Sequence, residues 1–165
     1  MVLKIYERLE SSESENQATL TLPFELRQKS RLKATLDNGT EVGLMLPRGG
    51  LLRGGDLLRA EDGTVIKIVA AAESVSKVTH DDPLMLMRAS YHLGNRHVPL
   101  QVSQNYLSYT HDHVLDEMVT GLGLQVACVM APFEPEGGAY GGGHKHSHDD
   151  HDENHHHGHT HQHSH

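Results

Sequence analysis

Two dipeptides constrain this chain more than any other feature: Asn38-Gly39 and Asp62-Gly63 each stand between runs rich in alternating apolar residues. Before the first, Leu32, Ala34 and Leu36 alternate with Arg31, Lys33 and Thr35, and after it the chain resumes as EVGLML. The second interrupts LLRAEDGTVIKIVAA. A tight turn of this kind needs positive φ, which Gly and Asn tolerate, and its twist suits two antiparallel strands. Two hairpins are therefore predicted. The alternating runs at residues 2–9 (VLKIYERL) and 18–22 (ATLTL) add two strands, joined by the polar SSESENQ. Residues 1–73 read as an all-β domain of six or seven short strands with no helix. Within it, PRGGLLRGGD (Pro47 to Asp56) lacks the Gly-Lys-Ser/Thr ending of a P-loop and the G-x-G-x-x-G spacing of a dinucleotide fold, so its glycines read as turn residues.

The texture changes after Glu73. Asp82 before Pro83 is an N-cap and first-turn pair, and PLMLMRASYHL carries an apolar stripe of Leu84, Met87 and Tyr91 up to Gly94-Asn95. VPLQV and YLSYT read as strands. A second helix is predicted from about Thr110 to Leu122, with Val114, Leu115, Met118, Val119 and Leu122 on one face. The run QVACVM reads as a buried strand stopped by Pro132 and Pro135, with Cys128 as a small buried hydrophobe. With a strand before the first helix, the order over residues 74–136 is strand, helix, strand, strand, helix, strand. That order predicts a ferredoxin-like βαββαβ domain, a four-stranded antiparallel sheet with two helices on one face. The fold class is thus α+β, an N-terminal all-β domain followed by a ferredoxin-like domain and a tail.

The tail, residues 137–165, opens on a Gly-rich spacer (GGAYGGG, Gly137 to Gly143) and ends in HKHSHDDHDENHHHGHTHQHSH. Such a segment has nothing to bury and cannot offset an ordering entropy of about 1–2 kcal/mol per residue, so it is expected to be disordered. Its irregular spacing, interspersed acids and Gly-rich lead-in read as an intrinsic metal-binding tail rather than a purification tag. The candidate ligands are His144, His146, His148, His151, His155, His156, His157, His159, His161, His163 and His165. Imidazole is the commonest protein ligand for divalent transition metals, and protons compete with metal for the same nitrogen as pH falls.

Five histidines lie outside the tail. His97 follows Leu93-Gly94-Asn95-Arg96 at a helix-to-strand junction, where loop positions present side chains to solvent or to a partner. His111 and His113 form an H-x-H at the mouth of the second helix, and two imidazoles so spaced converge on one metal where the backbone is extended or turn-like. His80 and His92 read as surface or packing residues. His111, His113 and Glu117 also spell the H-x-H-x-x-x-E of cupins, but Asn105 stands where that motif needs Gly, and the residues after His113 have helical periodicity. The metallo-β-lactamase pattern fails too, because Leu115 and Asp116 stand where it needs Asp and His. No C-x-x-C occurs, so nitrogen and oxygen ligands are expected, favouring Ni(II), Cu(II), Zn(II) or Co(II).

A net charge of −8 gives no reason to expect nucleic acid or anionic membrane as a partner. No apolar run approaches the roughly 20 residues of a membrane span, and MVLKIYERLESSESE does not look like a signal peptide. The single cysteine excludes a disulfide within the chain. The expected location is the cytoplasm.

The block YHLGNRHVPLQ (Tyr91 to Gln101), the stretch LPRGGLLRGGDLL (Leu46 to Leu58), the H-D-H at 111–113 and the histidine-rich C-terminus, taken together and in order, resemble the UreE family of urease accessory proteins, which are nickel metallochaperones. The resemblance implies a peptide-binding-like N-terminal domain and a ferredoxin-like domain through which the protein forms a homodimer. It implies that His97 from each of two subunits binds one Ni(II) at the dimer interface. It assigns weaker metal sites to His111 and His113, and further nickel to the tail. The implied activity, not an enzymatic one, is delivery of nickel to the urease apoprotein together with the other urease accessory proteins, one of them a GTPase. The alternative is a histidine-rich store or buffer of divalent metal, which needs no such partners and should tolerate changes at His97.

Overall fold

The computed structural model describes residues 1–10 and 15–137 of the 165. Strands β1 (Leu3–Leu9), β2 (Ala18–Leu22), β3 (Arg31–Thr35), β4 (Glu41–Met45), β5 (Leu57–Ala60) and β6 (Val65–Ala70) form one sheet in the order β2-β6-β5-β1-β4-β3. Both turn dipeptides make hairpins. Gly39 and Gly63 sit at φ 92 and 90, where a Cβ would be strained. The preceding side chains close each turn: Asn38 Oδ1 accepts from Thr40 N at 3.0 Å, and Asp62 Oδ1 from Thr64 N at 2.9 Å. Strand β1 joins these hairpins into a single sheet, pairing parallel with β4 and antiparallel with β5, and β2 adds to the edge parallel to β6. Its core holds the fully buried Ile5, Leu20, Val42, Leu58, Ile66 and Ile68. Each large aliphatic side chain buried there stabilises by about 1.5–3 kcal/mol.

The N-terminal part was expected to contain no helix, yet a single turn, α1 (Phe24–Arg27), follows β2. Four residues are too few to carry a helical period, and the turn is held from outside. Arg27 is completely buried, and its guanidinium donates to Leu22 O and Leu52 O at 3.1 Å each, to Phe133 O and to the Glu134 carboxylate. Phe24 meets Phe133 edge-on at 5.4 Å, and Phe24 N donates to Glu73 Oε2 at 2.8 Å. Residues far apart in sequence thus join the first sheet to the second.

The second sheet contains β7 (Ala72–Thr79), β8 (Gln101–Val102), β9 (Tyr106–Thr110) and β10 (Gln125–Pro132), with α2 (Pro83–Asn95) and α3 (His113–Gly121) between them. The element order is strand, helix, strand, strand, helix, strand, as expected. The strand order is β10-β7-β9-β8, with every pairing antiparallel. Leu86, Ala89 and Leu93 of α2 and Leu115 and Val119 of α3 share one core with Val78, Leu107 and Tyr109 of the sheet.

Three further features depart from expectation. The stripe of Leu84, Met87 and Tyr91 is not the core face of α2; these residues are 47%, 65% and 66% exposed. Two apolar stripes run along this helix, and the sheet takes the other one. The last strand is not buried either: β10 is an edge strand, and Cys128 and Met130 are exposed. Its sequence is apolar on both faces, but only Val126, Val129 and Ala131 are even partly covered. Finally, only Gln101 and Val102 of VPLQV join the ladder, since Pro99 has no N–H to offer it.

Candidate metal centre

His97 stands immediately beyond α2. Asp82 starts this helix, its side chain accepting from Leu84 N at 2.9 Å with Pro83 in the first turn. The helix ends in Gly94-Asn95, and Arg96 N and His97 N donate back to Leu93 O and Gly94 O at 3.1 and 3.0 Å. These bonds leave His97 at φ 57, the only non-glycine residue with positive φ among the described residues. A left-handed conformation costs a residue with a Cβ about 1–2 kcal/mol. The imidazole is exposed at the end of the 13-residue helix, where the last carbonyls carry partial negative charge and favour a cation. Leu84, Met87 and Tyr91 form an uncovered apolar face on the same helix.

His111 and His113 flank Asp112, the N-cap of α3. Asp112 is extended at φ −150, ψ 116, and its side chain accepts from Val114 N at 2.9 Å and Leu115 N at 3.2 Å. This is the extended geometry that an H-x-H pair needs. His111 N donates to Ser74 O at 3.1 Å, continuing the pairing of β9 with β7. Its Nδ1 lies 3.1 Å from Ser76 Oγ and 3.2 Å from Asp116 Oδ2. On the far side of that carboxylate, the Tyr109 phenol donates to Asp116 Oδ1 at 2.6 Å. Burial and the adjacent Asp116 carboxylate push the Tyr109 phenol well above its ordinary range. His113 is exposed at the first position of α3.

Sequence reading missed Asp116 and Tyr109. The available signal was the i, i+2 spacing of Tyr109 and His111 along a strand, with an acid in the first turn of the next helix. Of the remaining histidines, His80 accepts from Asp82 N at 2.9 Å through Nδ1, beside the start of α2, and His92 meets the Tyr91 ring edge-on at 5.4 Å. His144, His146, His148, His151, His155, His156, His157, His159, His161, His163 and His165, with the expected disorder of the tail, lie outside the described residues. Among the described residues, no three His, Cys, Asp or Glu side chains gather into a group that could hold a metal ion. Among the described residues, neither His97 nor the His111/His113 pair is thus part of a complete ligand set.

A family model described as the C-terminal domain of the UreE urease accessory protein matches residues 73–165, and one described as its N-terminal domain matches residues 2–71. The chain belongs to the UreE family. The urease accessory protein UreE of Alkalilimnicola ehrlichii is 66% identical over 125 residues, 76% of this chain and 77% of that protein. That of Ralstonia nicotianae is 58% identical over 126 residues, again 76% of this chain but 60% of the relative's length. That of Tolumonas auensis is 55% identical over 143 residues, 84% of this chain and 76% of that protein. The two UreE models meet around residue 72, the first residue of β7. UreE membership makes the chain an accessory protein rather than a catalytic subunit of urease. No helix among the described residues is long and apolar enough to cross a membrane.

Proposed function

We propose that this protein is a nickel metallochaperone that donates Ni(II) during assembly of the urease metallocentre, and that it has no enzymatic activity of its own. The observation that carries this reading is His97, an exposed imidazole held in a strained backbone at the end of α2, beside a bare apolar helix face. One imidazole binds a divalent ion weakly. A second copy docked through Leu84, Met87 and Tyr91 supplies a second His97, making a homodimer with one shared site. Such a site is shallow, which suits a carrier that must release its cargo, whereas a catalytic site is closed in by supporting groups.

In this reading residues 1–73 form a peptide-binding-like domain and residues 74–136 a ferredoxin-like domain that dimerises. Residues 137–165 form a tail that collects metal. A tethered tail raises the local concentration of imidazole near His97. His111 and His113 are intermediate stations. The partners are the urease apoprotein and the other urease accessory proteins, including the GTPase, in the cytoplasm. Cu(II), Zn(II) and Co(II) compete for the same nitrogens, since affinity follows the Irving–Williams order.

Calorimetric titration with Ni(II) tests the division of labour, with the mass of each species measured alongside. Deleting residues 144–165 is expected to lower the stoichiometry and leave one tight site per dimer; complete loss of binding overturns the reading. His97→Ala is expected to abolish urease activation in nickel-limited cells. The density of histidine in the tail favours a second reading, a metal store, and full activation by His97→Ala would select it.

A further inference from the structure

We propose that Asp116 and Tyr109 are positioning residues that lock His111 in the Nδ1–H tautomer and so leave Nε2 as its metal-donor atom. The proposal rests on the metal-binding reading of His111 given above. It adds which nitrogen does the binding and what selects it.

An ionised carboxylate only accepts hydrogen bonds, so the nitrogen 3.2 Å from Asp116 Oδ2 must carry the proton. A neutral imidazole has one protonated nitrogen, and its lone pair on the other is the one a metal can use. The completely buried Ser76 lies on the same Nδ1 side, with its Oγ at 3.1 Å and able to accept from the same N–H. Since Nδ1 faces these inner groups and the side chain is 40% exposed, Nε2 is on the edge of the ring turned to solvent.

What fixes the carboxylate is Tyr109. Its ring is fully buried in the core beneath α3, and its hydroxyl donates to Asp116 Oδ1 at 2.6 Å, leaving Oδ2 for His111. The backbone is fixed as well, by His111 N to Ser74 O and by the Asp112 cap. A carboxylate behind a ligating histidine sets ring orientation and raises donor basicity, and losing such a partner typically lowers metal affinity about 10- to 100-fold.

The test is a long-range proton–nitrogen NMR spectrum of the full-length metal-free protein, with His111 identified by its disappearance in His111→Gln. His111 is expected as Nδ1–H. In Asp116→Asn, Tyr109 still donates to the amide oxygen, which turns the amide NH2 toward Nδ1 and drives the proton to Nε2. The tautomer is then expected to invert while the backbone spectrum keeps its fold, and the weaker Ni(II) affinity to fall about 10- to 100-fold. Adding Tyr109→Phe frees the amide to rotate and is expected to restore part of the Nδ1–H signal and of the affinity. A merely structural role for Tyr109 predicts no such rescue. An Nε2–H tautomer in the parent, or an unchanged tautomer in Asp116→Asn, overturns the proposal. If the parent is Nδ1–H yet His111→Gln leaves every Ni(II) isotherm unchanged, the ligand reading of His111 fails instead, and the two failures are told apart by the tautomer.

Discussion

The backbone N–H of His97 donates to the carbonyl of Gly94 at 3.0 Å, and this bond closes the last turn of α2 with a histidine in the left-handed conformation. The position favours glycine on stability grounds, so its side chain is retained against a local conformational cost. His97→Gly is expected to be more stable than His97→Ala by about 1 kcal/mol, because only Gly escapes the strain. Both should equally lose the Ni(II) site proposed at His97. Urea unfolding and nickel calorimetry on the two variants check this, and a more stable His97→Ala would refute the strain.

Arg27 ties the first sheet to the second through four acceptors, two of them at Phe133 and Glu134. Arg27→Met leaves buried carbonyls unpaired and the Glu134 carboxylate without its cation. The expected loss is about 3–5 kcal/mol, read from denaturant midpoints. Arg27→Lys should recover little of it, since a single ammonium cannot reproduce the planar fork. A midpoint within error of the parent would show that the latch contributes nothing.

Tyr109 predicts alkaline behaviour with a definite sign. Its folded-state pKa is raised above the ordinary 10.0, first by burial and then by Asp116. A phenol that stays protonated in the folded state contributes stability that is fully present below the unfolded value and is lost as pH rises through the folded one. Stability should therefore fall above about pH 10, and Tyr109→Phe should flatten that slope. Equilibrium unfolding at pH 8 to 11 measures it; parallel slopes for parent and variant would contradict the assignment.

Met87 and Tyr91 lie on the bare face of α2. On the proposed function, Met87→Glu is expected to give a monomer in sedimentation and to remove the proposed Ni(II) site at His97, while much of the weaker binding proposed for the tail survives. A monomeric parent, or a variant that remains dimeric, would send the search for the interface elsewhere.

Short-range signals were legible because their physics is short-range. Asn38-Gly39 and Asp62-Gly63 made turns, and Asp82 capped a helix, because each satisfies backbone groups two residues away. Element order along the second sheet and family membership followed from the same one-dimensional information, carried by residues such as those around His97. Faces and partnerships were not legible. Leu84, Met87 and Tyr91 obey the helical period as well as Leu86, Ala89 and Leu93 do, and only the sheet that packs beneath α2 chooses between them. Cys128 sits in an apolar run, but strand order leaves it on an edge.

By itself, then, the sequence determined where the two hairpins turn, where α2 begins and that its C-terminal stretch is rich in histidine. Tertiary structure alone decided that Arg27 would meet Glu134, 107 residues away, and that Asp116 would stand behind His111. The physical reason is that a turn or a cap is selected by local backbone energies. A buried ion pair or an oriented imidazole exists only after folding has removed water and brought distant donors and acceptors within about 3 Å.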